Sequence, residues 1–367
     1  MLKKVIIIVI IFIIIGVRIC FYSQKSITSY VRFKHDEHIM LDELQQIFDR
    51  RNKALLEKDV GFLKSLYYTD EINGYWSYEN EIIKMNYLHN WAEKQSAIFT
   101  DIESKIFLRN LEEKLGGYYV SLAVTTKYTY QYNLESDEDK NSFGLGTYHT
   151  LDLIKDNNGW VITKEWYSDP CRDSLNLESL NLEFVKDIIK AGKPKNLSNL
   201  NENRKVAIDY ADEHCGVARP PNYSFQYNNE YKNYNSIGGD CTNFASQVLH
   251  EGGGLSKTST WNYEGGNGTK AWVNANAFNN YMQYSGRGTL IAKGTYEEVL
   301  KASYSLLPGD YIAYEKEGKV AHISIVSGMD PKGYALVNSH NADRYKVPWD
   351  LGWNTEGIIF WLVRINY

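Results

Sequence analysis

Cys241 stands in the first turn of a predicted helix and is well placed for nucleophilic chemistry. The residues after Asp240 follow the spacing of one helix face: Cys241, Phe244, Ala245, Val248 and Leu249. Asp240 is a favourable N-cap residue, and the glycines from Gly252 to Gly254 end the helix. A helix N-terminus favours the thiolate form of a cysteine. The pattern therefore predicts a reactive thiol, although a free cysteine is as often a small buried apolar residue.

Two later strands carry the other groups that acyl transfer by a cysteine requires. His322 lies in an apolar run that predicts a buried strand, and alone it would more often be a core histidine. Asn338 and His340 lie two residues apart in the next predicted strand, so they share a face. A thiol, an imidazole and a group that orients the imidazole form a catalytic set. We predict that His340 orients His322, and that Asn338 supports it or faces the oxyanion.

Residues 202–367 resemble the putative amidase domain family of Gram-positive bacteria, a papain-like family related to NlpC-type and CHAP peptidases. The residues that carry the resemblance are Asn203-Arg204, Ala207, Tyr210-Ala211, Asp240 to Gln247, Gly252-Gly253, Trp261, Tyr263, Trp272, Pro308 to Asp310, Ala321 to Val326 and Ser339-His340. The resemblance implies a papain-like α+β fold, with Cys241 as nucleophile and His322 as base. CHAP relatives carry an acidic residue on the last strand, which this chain lacks at Asn338 and His340.

Three residues around the cysteine are further candidates for contacts with substrate or oxyanion: Asp240, Thr242 and Asn243. We expect no cofactor, because acyl transfer from a thiol to water needs none. We also expect no metal, since the Asp240-Cys241 pair and single histidines on separate strands lack zinc-ligand spacing.

The region before the amidase-like part changes from helical to strand periodicity. Apolar residues recur at helical spacing over 39–66 and 79–95, and strand-forming residues fill 100–108, 118–132, 146–155 and 160–169. Residues 156–159 read as a hairpin turn. The order predicts an α+β roll over 35–170, which resembles nuclear-transport-factor-like and cystatin-like rolls, followed by a linker with a short helix over 171–201. His89 and His149 are expected to be structural or surface residues.

The chain begins with a pattern typical of a signal anchor. Lys3 and Lys4 precede an unbroken apolar run over 5–17, which extends to Tyr22 if Arg18 reaches the interface. We predict an uncleaved membrane anchor over 1–23 in the cell membrane, with the bulk of the chain extracellular; a cleaved secretory signal is the alternative. In an oxidising exterior Cys171 and Cys215 could pair, although sequence alone does not give connectivity.

The composition is that of an ordinary globular protein. Hydrophobic residues make up 43% of the 367 residues and charged residues 23%, and the net charge of −5 offers no basic surface for nucleic acid. From the family resemblance and the N-terminal segment we expect an exported, membrane-anchored cysteine amidase or peptidase that acts on peptidoglycan peptides. The alternatives are an acyl transferase or a peptidase for other polypeptides on the same fold, and a non-catalytic binding module whose roll recruits a protein partner.

Overall fold

The computed structural model describes residues 39–132, 140–157, 159–172, 175–219, 226–353 and 357–367. The chain divides into two units, and residues 48–367 form the second of them. Of the first unit, the described residues 39–47 are helical. Among the described helices, none is both long enough and apolar enough to cross a membrane. The predicted anchor over 1–23 lies outside the described residues.

The N-terminal roll consists of helices followed by a four-stranded meander, as its periodicity predicts. Its elements are α1 (39–57), α2 (Val60–Lys64), α3 (Ile72–Gln95), β1 (Ile98–Lys114), β2 (Gly117–Gln131), β3 (Lys140–Asp156) and β4 (Gly159–Tyr167). The helix expected over 39–66 is interrupted because Lys58 has a φ of 58° and the Asp59 side chain accepts a hydrogen bond from the Phe62 N–H and starts α2. Asp156 pairs with Gly159, so the predicted hairpin turn is confirmed.

The C-terminal part alternates short helices with antiparallel strands. Its elements are α4 (Leu182–Ala191), α5 (Glu202–Glu213), α6 (Cys241–Gln247) continued by a π-helical turn (Val248–Gly252), β5 (Tyr263–Glu264), β6 (Asn267–Gly268), α7 (Lys270–Val273), α8 (Ala275–Tyr284), β7 (Gly288–Gly294), α9 (Tyr296–Ser303), β8 (Tyr311–Lys316), β9 (Lys319–Met329), β10 (Ala335–Ser339), β11 (Asp343–Pro348) and β12 (Ile358–Ile365). The α+β class expected from the sequence is confirmed.

One antiparallel sheet of ten described strands runs through both parts in the order β1-β2-β3-β11-β10-β9-β8-β12-β7, with β4 also beside β3. The parts are joined where Gly144, Leu145 and Gly146 of β3 pair with residues 343–345 of β11. A Cβ atom on Gly146 would lie 2.5 Å from the backbone nitrogen of Ala218, so glycine is required at this close approach. The roll and the amidase-like part therefore share a hydrogen-bonded backbone ladder.

The sheet of the C-terminal part carries a separate core on each face. Helices α5, α6 and α8 pack on the face that includes Ile323 and Ile325, whereas α4 and α9 pack on the face that includes Tyr314 and Val326. His322 is the cross-strand partner of Tyr314, so its side chain lies on the second face. The helix that carries the nucleophile candidate thus packs on the face of the sheet opposite to the side chain of the base candidate.

A buried ion pair also links the two parts. Lys94 of α3 contacts Asp350, and neither side chain is exposed to solvent. The Trp91 indole N–H and the Tyr334 hydroxyl donate to Asp350 Oδ1 at 3.3 Å and 2.7 Å, and the ammonium group lies 3.9 Å from the centre of the Tyr296 ring. These contacts offset the cost of removing two charges from water.

Candidate functional site

Cys241 is the first residue of α6 and is 5% exposed. Its Sγ atom lies 3.6 Å from Thr242 Oγ1, and the backbone N–H of Ile323 on β9 favours its charged form. Burial raises the pKa of the thiol, and the contacts with Ile323 and Thr242 offset this only in part. The expectation that the helix N-terminus would favour the thiolate is therefore wrong for this state, in which Cys241 is a neutral thiol.

His322 directly precedes the residue whose N–H reaches the thiol. Its ring packs against Trp353 and Tyr314, with centroid separations of 4.9 Å and 5.5 Å. The Nε2 atom is buried and has no hydrogen-bond partner among the described residues. Burial, followed by the charge of Arg344, lowers the pKa of the imidazole to about 3. His322 is therefore a neutral base, and in the described residues no hydrogen bond joins it to Cys241.

Both ring nitrogens of His340 make hydrogen bonds, and neither of these bonds is to His322. Its Nδ1 atom lies 2.6 Å from Asp240 Oδ2, and its Nε2 atom lies 2.7 Å from the backbone oxygen of His214. A carboxylate and a carbonyl only accept hydrogen bonds, so both ring nitrogens must donate, and the ring is an imidazolium. Burial lowers the pKa of His340, but the hydrogen bond that it donates to Asp240 and the charges of Asp343 and Asp240 outweigh burial, and the net shift is upward.

The predicted hydrogen bond between His340 and His322 is therefore not found. The ring of His340 stacks on Phe244 of α6 at a centroid separation of 4.2 Å, on the opposite face of the sheet from His322. With both nitrogens donating, His340 has no lone pair to accept a proton. In this arrangement it holds the first turn of α6.

Asp240 fixes the backbone immediately before the thiol. Its carboxylate accepts hydrogen bonds from the Tyr234 N–H at 2.8 Å, from Asn243 Nδ2 at 2.9 Å and from His340. Its own N–H donates to Asn341 Oδ1 at 2.7 Å. The predicted N-cap hydrogen bond is absent because these partners occupy the carboxylate. Asp240 is thus a buried hub rather than a group that meets substrate.

The remaining predicted site residues are also engaged in internal hydrogen bonds. Asn338 Oδ1 accepts from Ser327 Oγ at 2.6 Å and from the Lys346 N–H at 2.7 Å, and its Nδ2 donates to Asp212 Oδ1 at 2.9 Å. Asn338 therefore does not orient His322. Thr242 and Asn243 are each 1% exposed in this structure, and their contact with substrate or oxyanion stays a prediction.

Asn243 has a structural role at the base of the site. Its Nδ2 donates to the Lys232 carbonyl at 3.1 Å, and its Oδ1 accepts from the Trp272 indole N–H at 2.9 Å. Elsewhere, Cys171 and Cys215 are buried free thiols, so the pairing considered for them is not formed. His149 is likewise internal, with its Nδ1 2.7 Å from Glu165 Oε1.

Sequence reasoning did not identify the aromatic surroundings of His322 or the contact between Asp240 and His340. Trp353 lies in the loop after β11, where no spacing pattern distinguishes it. Asp240 and His340 were both singled out, but nothing in their positions, 100 residues apart, indicates that they meet. In the described ranges, no three or more His, Cys, Asp or Glu side chains converge in a way that could hold a metal ion.

Comparison with known proteins gives a match to part of the chain. A protein of Bacillus subtilis (strain 168), described as uncharacterized protein YhbB, is 30% identical over 155 residues, which cover 38% of this chain and 42% of that protein. The matched segment thus spans less than half of that relative.

Two solved structures resemble a part of the chain. The intermembrane space region of chloroplast protein ARC6 covers 35% of this chain and 95% of its own length, at 9% identity and a TM-score of 0.24. An NTF-2 like protein of unknown function from Shewanella oneidensis MR-1 covers 35% of this chain and 98% of its own, at 16% identity and a TM-score of 0.21. Residues 201–363 match the family model described as "Putative amidase domain", so the amidase family predicted for this part of the chain is confirmed.

Proposed function

We propose that residues 202–367 hydrolyse an amide bond through a thioester on Cys241, with His322 as the base. The observation that carries the proposal is the backbone of β9 beside the thiol: the Ile323 N–H acts to lower the thiol pKa, and the preceding residue carries a buried imidazole whose Nε2 has no partner among the described residues. The match to a putative amidase domain supports the reaction class. The thiol nucleophile and the imidazole base are our own assignment.

A general-base mechanism starts from a neutral thiol and a neutral imidazole, and it also requires substrate binding to raise the pKa of His322, because an imidazole with a pKa of about 3 is too weak a base to take the thiol proton. The pKa of Cys241 is raised by burial and the pKa of His322 is lowered to about 3, so both groups are neutral near pH 7. The proposal requires the His322 side chain, which lies on the face of the sheet opposite to α6 in this structure, to turn toward the thiol when substrate binds, since catalytic hydrogen bonds are often made only in the substrate complex. The imidazole then takes the Sγ proton as the S–C bond forms.

Collapse of the tetrahedral intermediate breaks the C–N bond, and the imidazolium of His322 gives its proton to the leaving amine. Water then attacks the thioester, the imidazole takes a proton from that water, and the carboxylic acid leaves as the S–C bond breaks. The proton returns to the thiolate, so the enzyme is regenerated. The Asp240–His340 pair contributes by fixing the residue before Cys241 throughout this cycle.

We further propose that the substrate is an amide in cell-wall peptides. Support comes from residues 1–23, whose basic start and apolar run favour an anchored chain with its bulk outside the cell membrane. An extracellular amidase held at the membrane lies next to the wall. On this proposal the protein needs no cofactor.

Incubation of the full-length protein with purified bacterial cell wall, followed by mass analysis of released fragments, tests the proposal. Cys241→Ala and His322→Ala should each abolish release, and the double variant should be scarcely worse because the two residues act as one unit. Cys171→Ala, which removes another buried thiol, is the matched control and should retain activity. Release by Cys241→Ala at the wild-type rate would refute the assignment.

A further inference from the structure

A cleft of about 400 Å³ lies beside the proposed active site, between the roll and the amidase-like part. Its floor is a gap in the sheet. On one side of β3, Gly146 pairs with β11 and His149 pairs with β4, so Thr147 and Tyr148 lie between the two partner strands. The diverging ends of β4 and β11 leave room for a ligand there.

The wall opposite the roll is the loop that carries the thiol. Gly238 and Gly239 line the cleft and directly precede Asp240, and Asn341, which also lines it, accepts the hydrogen bond from the Asp240 N–H. Both glycines have positive φ angles, of 124° and 116°. A Cβ atom on Gly239 would lie 2.1 Å from Asn341 Nδ2, so glycine keeps this wall in place. A ligand in the cleft would thus contact the residues two and three positions before Cys241 in the sequence.

The roll contributes an aromatic platform to the cleft. Trp166 is 63% exposed, which leaves its indole face open to a ligand. Tyr148 is held in place, since the Arg109 guanidinium lies 4.9 Å from its ring centre and its hydroxyl lies 3.4 Å from that of Tyr227. A flat, ordered aromatic surface stacks well on the apolar face of a ring, with little loss of conformational entropy.

Apart from Asp343, the polar groups that line the cleft are uncharged. Ser168 supplies a hydroxyl and Asn235 and Asn341 supply amides, whereas the Thr147 hydroxyl is already bonded to His149 Nε2 at 2.7 Å. Among the described residues that line the cleft, none is Lys or Arg, and the carboxylate of Asp343 is engaged by the Tyr227 hydroxyl and the Val217 N–H. This lining has no cation for a phosphate or carboxylate. It suits a neutral ligand with hydroxyl groups, an amide and one apolar face.

We propose that this cleft is a subsite for an N-acetylated sugar ring next to the amide that Cys241 attacks. The acetamido group and hydroxyls of such a sugar match the amides and hydroxyls of the lining, and its C–H face matches Trp166. The position relative to the scissile amide rests on the proposed function, whereas sugar binding itself does not. The roll then has a role in substrate selection.

Titration of the full-length Cys241→Ala protein with the N-acetylglucosamine tetramer tests the subsite without turnover. Calorimetry should show saturable binding that Trp166→Ala weakens at least tenfold. Trp76→Ala is the matched control, because Trp76 is 60% exposed on α3 of the roll and does not line the cleft, and it should bind like the parent protein. Asn235→Ala, at an exposed position, should also weaken binding.

Fluorine NMR of 5-fluorotryptophan-labelled protein gives a second readout, with the Trp166 signal assigned by its loss in Trp166→Phe. The tetramer should shift that signal, and a neutral tetra-alanine peptide should not. A shift by the peptide alone would refute the sugar subsite, as would absent binding or equal affinity of Trp166→Ala and the parent. Sugar binding by a protein that releases nothing from cell wall would refute the amidase and leave the subsite standing.

Discussion

Replacement of His340 by alanine probes the buried ion pair that holds the nucleophile turn. Asp240 and His340 are each 2% exposed, and the substitution takes the cation from a carboxylate that stays buried. Removing one partner of a buried pair costs about 3–5 kcal/mol. That range includes the hydrogen bond lost at the His214 carbonyl, and the lost stack on Phe244 adds about 1 kcal/mol. We expect His340→Ala to lower the free energy of unfolding by about 5 kcal/mol at pH 6.

The loss should depend on pH in a definite direction. The folded-state pKa of His340 is raised above its ordinary value, because the bond to Asp240 and nearby carboxylates outweigh burial. A raised histidine pKa gives stability that is fully present below the unfolded pKa of about 6.5 and is lost as pH rises through the folded pKa. The difference between wild type and His340→Ala should therefore be larger at pH 6 than at pH 9.

Urea unfolding of the full chain, followed by tryptophan fluorescence at both pH values, measures this difference, provided that the denaturant slope is unchanged. His89→Ala is the control: its ring makes one bond to the Leu55 carbonyl at 2.9 Å and burial lowers its pKa. His89→Ala should lower the free energy of unfolding by about 1 kcal/mol, and this difference should become smaller as the pH falls. A cost below about 1 kcal/mol for His340→Ala, or a cost equal at pH 6 and pH 9, would refute the imidazolium assignment.

Two further predictions concern the thiol and the junction between the parts. Iodoacetamide labelling of Cys241, read by peptide mapping, should be slower at pH 7 than labelling of free cysteine, because burial raises the thiol pKa. The labelling rate should increase about tenfold per pH unit to beyond pH 9. A labelling rate that does not change with pH would contradict a neutral thiol. Lys94→Met should cost about 3–5 kcal/mol in urea unfolding by leaving the Asp350 charge buried, and Asp350→Asn added to it should recover part of that loss. Equal losses in the single and double variants would show that charge is not the cause.

Local patterns were sufficient to predict most elements of this fold. The helix after Asp240 and the hairpin at 156–159 follow from apolar spacing and turn residues, and both are present. The helix expected over 39–66 is longer than the helix observed, although Asp59, which starts α2, is a recognisable cap residue in the sequence. Such signals depend on neighbours a few residues away, which is why sequence alone reveals them.

The site was predictable as a set of residues but not as a set of contacts. Strand alternation correctly placed Asn338 and His340 on one face, where they bond to Asp212 of α5 and to the His214 carbonyl just after it. The cross-strand pairing of His322 with Tyr314 could not be predicted. A register shift between Tyr314 and Glu315 interrupts the ladder of β8 and β9 just before His322. Such irregularities have no clear signature in a single sequence.

The ladder between β3 and β11 has a consequence for the order in which the protein folds. Its paired residues, 144–146 and 343–345, are about 200 positions apart. The hydrogen bonds between them therefore cannot form until almost the whole chain has been synthesised. Pairings of such high contact order form late and slowly. An unpaired strand edge invites association with other chains in the interval. Because the exposed stretch here is three residues long and two of them are glycine, which forms strands poorly, the delay carries a small risk of aggregation.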